Sequence, residues 1–253
     1  MYSLDRERLF IGAPIPLTDD ICLVHPLTAF EVFNITQMKY NYYLNLLTLG
    51  EEDLEEIFES KKIPYDSNNL SPFNYLLDSC ANDGNFLLEI KKAFFTFIRE
   101  KVQILPDEKI IIIGSLKEKR FITENNFKEF QDILRIQNGI EIEEEEEIPE
   151  DENPMQKKFR LRRKQLKKAK KKQAQKKAKE GQSIDFYSIV KALIVKKVID
   201  YKDLKELSTY AIRELFDVLQ AEEEYNNQIK YLCAGADPKK IKLEYWIKKS
   251  YEK

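Results

Sequence analysis

Apolar positions along the chain fall first into short runs and then into helical spacing. Residues 8–12 (RLFIG) and 21–25 (ICLVH) are brief apolar runs on either side of a proline-containing link, residues 13–20, and together predict a hairpin. Pro26 stops the second strand. Thr28 followed three residues later by Glu31 fits a capping box and predicts a helix with Phe30, Phe33 and Ile35 toward its apolar side. Met38, Tyr42, Leu46 and Leu49, at spacings of three and four, predict a second helix over about 37–49. Residues 51–70 are charged and irregular, with a short helix expected at 51–59. Ser71-Pro72 is a cap followed by a first-turn proline, and Phe73, Leu76, Leu77 and Cys80 form the stripe of the helix it starts. Asn82-Asp83-Gly84 breaks that helix. From 85 to 101, Leu87, Leu88, Ile90, Phe94, Phe95, Phe97 and Ile98 cover so wide a face that the helix should sit centrally.

The period then changes. Residues 102–105, 109–113 and 120–122 read as strands, and four consecutive isoleucines at 110–113 suit a strand buried on both faces. Thr123 caps a helix over about 124–137, with Phe127, Phe130, Ile133, Leu134 and Ile136, ended by Asn138-Gly139. Beyond 183 the pattern is helical throughout. Ile184, Tyr187, Ile189, Val190, Leu193 and Ile194 share one amphipathic helix, and 201–207 is a connecting segment. Ser208 starts a long helix to about Ala234 through Ile212, Leu215, Phe216, Leu219, Tyr225, Ile229 and Leu232. Gly235 supplies a left-handed stop, and Asp237-Pro238 repeats the cap-plus-proline signal. Ile241, Leu243, Tyr245 and Trp246 give the tail enough apolar area to dock back. The expected architecture is therefore an α+β N-terminal domain over 1–139, mostly helical with a small sheet. An acidic-then-basic low-complexity linker or helix follows over 140–182, and then an all-α C-terminal domain over 183–253.

Composition changes this picture in one place, the middle. Charged residues make up 34% of 253, against about a quarter in an average soluble protein, yet the net charge is only −2. The cancellation comes from blocks: residues 141–152 carry 9 acids and no base, and residues 157–179 carry 14 Lys or Arg and no acid. Repulsion within the acidic run leaves little to offset chain entropy. The basic run is built of good helix formers with like charges at helical spacing, so a conditional helix is expected, formed against a partner or against the acidic run. Such a run can displace counterions from nucleic acid, bind an acidic protein, or serve as a solvated linker. Phe159 is its one aromatic, so base stacking has little support, and a linker with a protein partner is the better reading.

Candidate chemistry is sparse. His25 is the one histidine, expected to be a strand-end residue hydrogen-bonded locally; no HExxH or CxxC exists, and a serine triad would have to use His25. Seven isolated glycines assemble no phosphate cradle. The acidic clusters at 51–53 and 222–224 read as surface. Cys80 and Cys233 sit on apolar helix faces and should behave as small buried hydrophobes. Three widely spaced cysteines suit a reducing compartment, and neither a signal core nor a membrane-spanning window of 18 apolar residues is present. No catalytic, cofactor-binding or metal-binding residue is expected. The candidate partner-binding residues are Arg160, Arg162, Arg163, Lys164, Lys167, Lys168 and Lys171 in the basic run, with Asp237, Pro238, Lys239 and Trp246 at the C-terminal corner.

The order of blocks resembles a known family. The opening LFIGAPIPLTDDICLVHPLTAFEVF, the FITENNFKEFQDILRIQNG helix, the RLRRKQLKKAKKK bridge and the closing LCAGADPKKIKLEYW look like tail assembly chaperones of siphophages and prophages of low-GC Gram-positive bacteria. Typical members share an IGEPxxLNDxIxIxxPT opening, matched here from Ile11-Gly12 to Thr28, and a DPKKI ending, matched at 237–241. Ala13 stands where many members carry an acid. The resemblance implies a non-enzymatic protein of the host cytoplasm, absent from the mature virion. It would bind the tape-measure protein and help recruit tail tube subunits; whether the chain forms a homo-oligomer stays open. A nucleic-acid-binding protein using 157–179 and a tail or connector component retained in the virion are the alternatives.

Overall fold

The computed structural model describes residues 6–66, 70–118, 120–140, 153, 155, 158–159, 162, 184–237, 241, 243 and 245–246. Its helical elements are α1 (Arg6–Phe10), α2 (Ala29–Ile35), α3 (Gln37–Leu47), α4 (Glu51–Ser60), α5 (Pro72–Asn82), α6 (Gly84–Ile98), α7 (Glu124–Gln137), α8 (Phe186–Val195) and α9 (Thr209–Cys233). The strands are β1 (Ile15–Pro16), β2 (Leu23–Val24), β3 (Val102–Leu105), β4 (Ile110–Ile113) and β5 (Phe121–Ile122). β1 and β2 form a two-stranded antiparallel ribbon, and β3-β4-β5 form an antiparallel meander. The fold is α+β in its N-terminal part and all-helical in its C-terminal part, as the pattern predicts.

Local chemistry sets many of these boundaries. The Thr28 Oγ1 accepts from the Glu31 N–H at 3.2 Å, while the Thr28 N–H donates to the Glu31 carboxylate at 2.9 Å, so the expected capping box starts α2. Ser71 accepts from the Asn74 N–H with Pro72 at the first position of α5, and Ser208 accepts from the Ala211 N–H at the start of α9. Phe73, Leu76, Leu77 and Cys80 are the buried residues of α5, as its spacing predicts. The three strands after α6 lie where the change of period puts them, and Ile111, Ile112 and Ile113 are fully buried.

Some expectations are overturned. Residues 8–12 are not a strand: Arg6–Phe10 is helical, closed by Ile11 N–H to Glu7 and Ala13 N–H to Arg8 carbonyls. Gly12 turns the chain at φ +71°, and a Cβ there would stand 3.3 Å from Ser208 Cβ. Ile15–Pro16, within the supposed link, supplies the strand that pairs with β2. α1 instead packs along α9, burying Leu9. The stripes of α2 and α3 are rotated from those expected. Ala29 and Val32 are buried in α2, and Tyr40, Tyr43, Leu44 and Leu47 in α3, whereas Phe30, Tyr42 and above all Met38 face solvent. Cys233 is exposed rather than buried, because the last turns of α9 extend beyond the core. Phe186, absent from the expected stripe of α8, is buried, while Ile184 and Tyr187 are exposed.

The core is organised on α6. Ile90, Ala93, Phe94, Phe97 and Ile98 are buried against α3, α5, β2 and β3, and Phe94 stacks on Phe130 of α7 at 5.3 Å. Polar groups of α7 also finish α3: Gln131 Nε2 donates to the Leu47 and Leu49 carbonyls at 3.0 and 2.8 Å, and Arg135 Nη2 donates to that of Thr48 at 2.7 Å. These are helix-end carbonyls with no partner of their own inside α3.

The C-terminal helices join this same core. Thr28 and Ser208, the caps of α2 and α9, form an antiparallel bridge, with Ala29 N–H to Leu207 and Thr209 N–H to Leu27 carbonyls at 3.1 and 2.9 Å. Beneath it the buried Asn138 Oδ1 accepts from Tyr40 Oη and from Thr209 Oγ1, and Asn138 Nδ2 donates to the Leu134 carbonyl. Phe33 of α2 meets Phe186 of α8 at 6.0 Å, and Ile212 is fully buried.

Candidate functional site

An open concavity of the described surface lies where α2 turns into α3, alongside α6 and the start of β3. It is an open groove of about 720 Å³. Its apolar floor is made by Ile35, Leu88, Phe95 and Val102, and lysines 39, 91, 92 and 101 stand around it. α6 explains why apolar side chains are left outside the core. Its inward stripe, Ile90, Phe94, Phe97 and Ile98, follows helical spacing and is used up by α3, α5 and the sheet. Leu88 and Phe95 lie on the other side of the helix, each 55% exposed, although both are residues that burial favours. They are seven positions apart, which is two turns or about 10.5 Å along the axis, with half-buried Lys91 between them.

The charges are not balanced locally. Glu89 is already held: Lys92 Nζ lies 2.7 Å and Lys39 Nζ 3.8 Å from it, and Tyr43 Oη donates to it at 3.2 Å; Glu118, beside the lining residue Gly114, is paired with Arg120. The Lys92 hydrogen bond is the main cause that keeps the Glu89 carboxyl below its ordinary range. Burial, followed by the nearby Glu89 charge, pushes the Tyr43 hydroxyl up to about 12, so it stays a donor. Lys91 and Lys101 make no ion pair among the described residues, and the groove is net positive.

Backbone strain marks the lip. Thr36, between α2 and α3, sits at φ +72°, a region that a β-branched residue adopts at a cost of order 1–3 kcal/mol. Its Oγ1 accepts from the Lys39 N–H at 3.4 Å, so the strained residue both joins the two helices and caps the second.

The residues expected to bind partners are elsewhere. Arg160, Arg163, Lys164, Lys167, Lys168, Lys171, Pro238 and Lys239 lie outside the described residues. Arg162 and Asp237 are exposed, and neither lines the groove. Trp246 lies 6.0 Å from Tyr245, whose ring meets Tyr225 of α9 edge-on at 5.7 Å, so this part of the tail does return to the long helix. Leu88, Phe95, Lys91 and Lys101 are absent from the expected set. The available signal was the excess of apolar residues in α6 over what one stripe can bury.

His25 stands at the end of β2, its N–H donating to the Phe97 carbonyl at 2.7 Å. Burial, then the Arg99 charge, lowers its imidazole pKa from the ordinary 6.5, against the opposing pull of Glu31 and Glu100. The unfolded chain therefore holds more protons just below pH 6.5. Stability is expected to fall as pH drops from about 6.5 toward the lower folded value. Urea unfolding at stepped pH from 8 to 5 should show this slope, and His25→Gln should flatten it; an unchanged slope in the variant removes His25 as its source.

No curated protein and no solved structure matches the chain. Residues 171–251, just under a third of its length, match the YomV second domain, a phage-derived protein family, and the match fits a phage protein.

Proposed function

We propose that this protein is a non-enzymatic phage tail assembly chaperone that holds the tape-measure protein soluble in the host cytoplasm, helps recruit tail tube subunits, and is left out of the finished particle. The observation that carries the reading is the exposed apolar floor of the groove. A holding protein needs accessible apolar surface shaped for a client, and the groove offers Leu88 and Phe95 on a helix whose other face is fixed in the core. The phage-family match of the C-terminal part and the block order of the sequence support the same reading.

Co-expression with the cognate tape-measure protein tests the proposal. The client should move from the pellet into the soluble fraction when the full chain is present. Equal solubility with and without the chain would overturn the reading. Mass spectrometry of purified virions should detect no copies; stoichiometric amounts there would favour a tail or connector component instead.

A further inference from the structure

The groove combines an apolar floor with lysines that lack local carboxylate partners. Leu88 and Phe95 repeat at seven residues on a straight, anchored helix. A second helix laid along α6 meets such a ridge in register, because its own side chains recur at the same two-turn interval. Ile35 of α2 and Val102 of β3 add apolar surface to the same floor. Lys91 and Lys101 have no carboxylate partner among the described residues, while Glu89 is engaged by Lys92 and Lys39, and Glu118, beside the lining residue Gly114, by Arg120. A basic ligand would face four lysines and carboxylates that are already occupied; an acidic one finds two unpaired ammonium groups beside an apolar floor. We infer that the groove formed by α2, α3, α6 and the start of β3 binds an amphipathic helix whose apolar face is flanked by Asp or Glu.

This inference rests on the chaperone reading for the source of the helix, a segment of the client, but not for its chemistry. Apolar contact with Leu88 and Phe95 supplies most of the affinity. Lys91 and Lys101 choose the sign of the flanking charge, which is how electrostatic complementarity discriminates between partners of equal apolar content.

The test uses the full chain and two synthetic helical peptides of the same leucine pattern, one flanked by glutamates and one by lysines, followed by fluorescence anisotropy at low salt. The glutamate peptide should bind at least about tenfold more tightly than the lysine peptide. The double variant Lys91→Glu with Lys101→Glu should reverse that order. Phe95→Ser should weaken both peptides about tenfold or more. Phe95 and Lys101 are exposed and Lys91 is half-buried, and circular dichroism verifies that the variants keep the fold. Equal binding of the two peptides, or preference unchanged in the double variant, overturns the inference. So does binding of labelled oligo-dT at least as tight as that of the glutamate peptide in the wild type and lost in the double variant, which would make the lysines a nucleic-acid site.

The two readings fail separately. A tape-measure protein kept soluble equally well by wild type and by the double and Phe95→Ser variants leaves the chaperone standing and removes the groove. Sign-selective peptide binding without any effect on the tape-measure protein does the opposite.

Discussion

Replacing Asn138 by leucine is expected to remove about 3 kcal/mol of folding stability, although the side chains are nearly equal in size. Asn138 is 1% exposed and has no solvent to turn to. Its carbonyl oxygen accepts from both Tyr40 Oη and Thr209 Oγ1, and its amide donates to the Leu134 carbonyl at 2.7 Å. Leucine would leave two hydroxyl donors and one carbonyl buried. Each orphaned group costs about 1–3 kcal/mol. Thr209 limits the loss, because its hydroxyl also reaches the Gln137 carbonyl at 3.4 Å. Tyr40 is fully buried, its hydroxyl meets the Thr209 side chain as well as Asn138, and burial holds it protonated, with a pKa pushed up to about 12. Adding Tyr40→Phe to Asn138→Leu should therefore recover about 1–2 kcal/mol, since it removes one of the orphans. Urea denaturation of the two single variants and the double variant gives the numbers. A loss below about 1 kcal/mol for Asn138→Leu would mean that the network is not the junction described above.

Phe94→Ala should cost more, about 3–5 kcal/mol, the range for emptying a fully buried aromatic position. Phe94 is 0% exposed at the centre of α6 and stacks on Phe130, which in turn stacks on Phe127 at 6.1 Å. The sheet and α5 close the same space, so collapse into the void would need several elements to move together. The neighbouring residue supplies the control. Phe95→Ser, one position along, is expected to change stability by no more than about 0.5 kcal/mol, because that ring projects into the groove. Thermal and urea unfolding of the two variants side by side should separate them clearly. Comparable losses at 94 and 95 would show that the groove face of α6 is packed after all.

Elements governed by neighbours in sequence were legible without the structure. The caps at Thr28, Ser71 and Ser208 act within one turn, and each starts the helix it announces. The isoleucine run could hardly be anything but a buried strand. Helical phase was harder. In α3 the sets Tyr40, Tyr43, Leu44, Leu47 and Met38, Tyr42, Leu46, Leu49 both satisfy helical spacing, and only the position of α6 decides that the first is buried. In α1 the run RLFIG is too short for periodicity to distinguish helix from strand, and the docking of Leu9 settles it. The groove was not legible for a related reason. Lys91 and Lys101 look like ordinary surface lysines, and what makes them a pair is that β3 begins beside the outer face of α6. The candidates the sequence did offer were chosen for density of charge along the chain, which says nothing about what is adjacent in space.

The pairing of Thr28 with Ser208 has a consequence for synthesis. Leu27 and Ala29 find their backbone partners 180 residues later in the chain. At about 5–20 residues per second, on the order of 4–15 s separate the emergence of Gly139 from that of Ile212. For that interval α2, α3 and α7 can assemble, yet Phe33, the Thr209 bond to Asn138 and the backbone groups of Leu27 and Ala29 wait for α8 and α9. The ribosome thus holds, for some seconds, a nearly finished body with an apolar face that the last third of the polypeptide is destined to cover. The charged stretch between them sets the length of that delay far more than it sets the final stability, since loop-closure entropy grows only logarithmically with length.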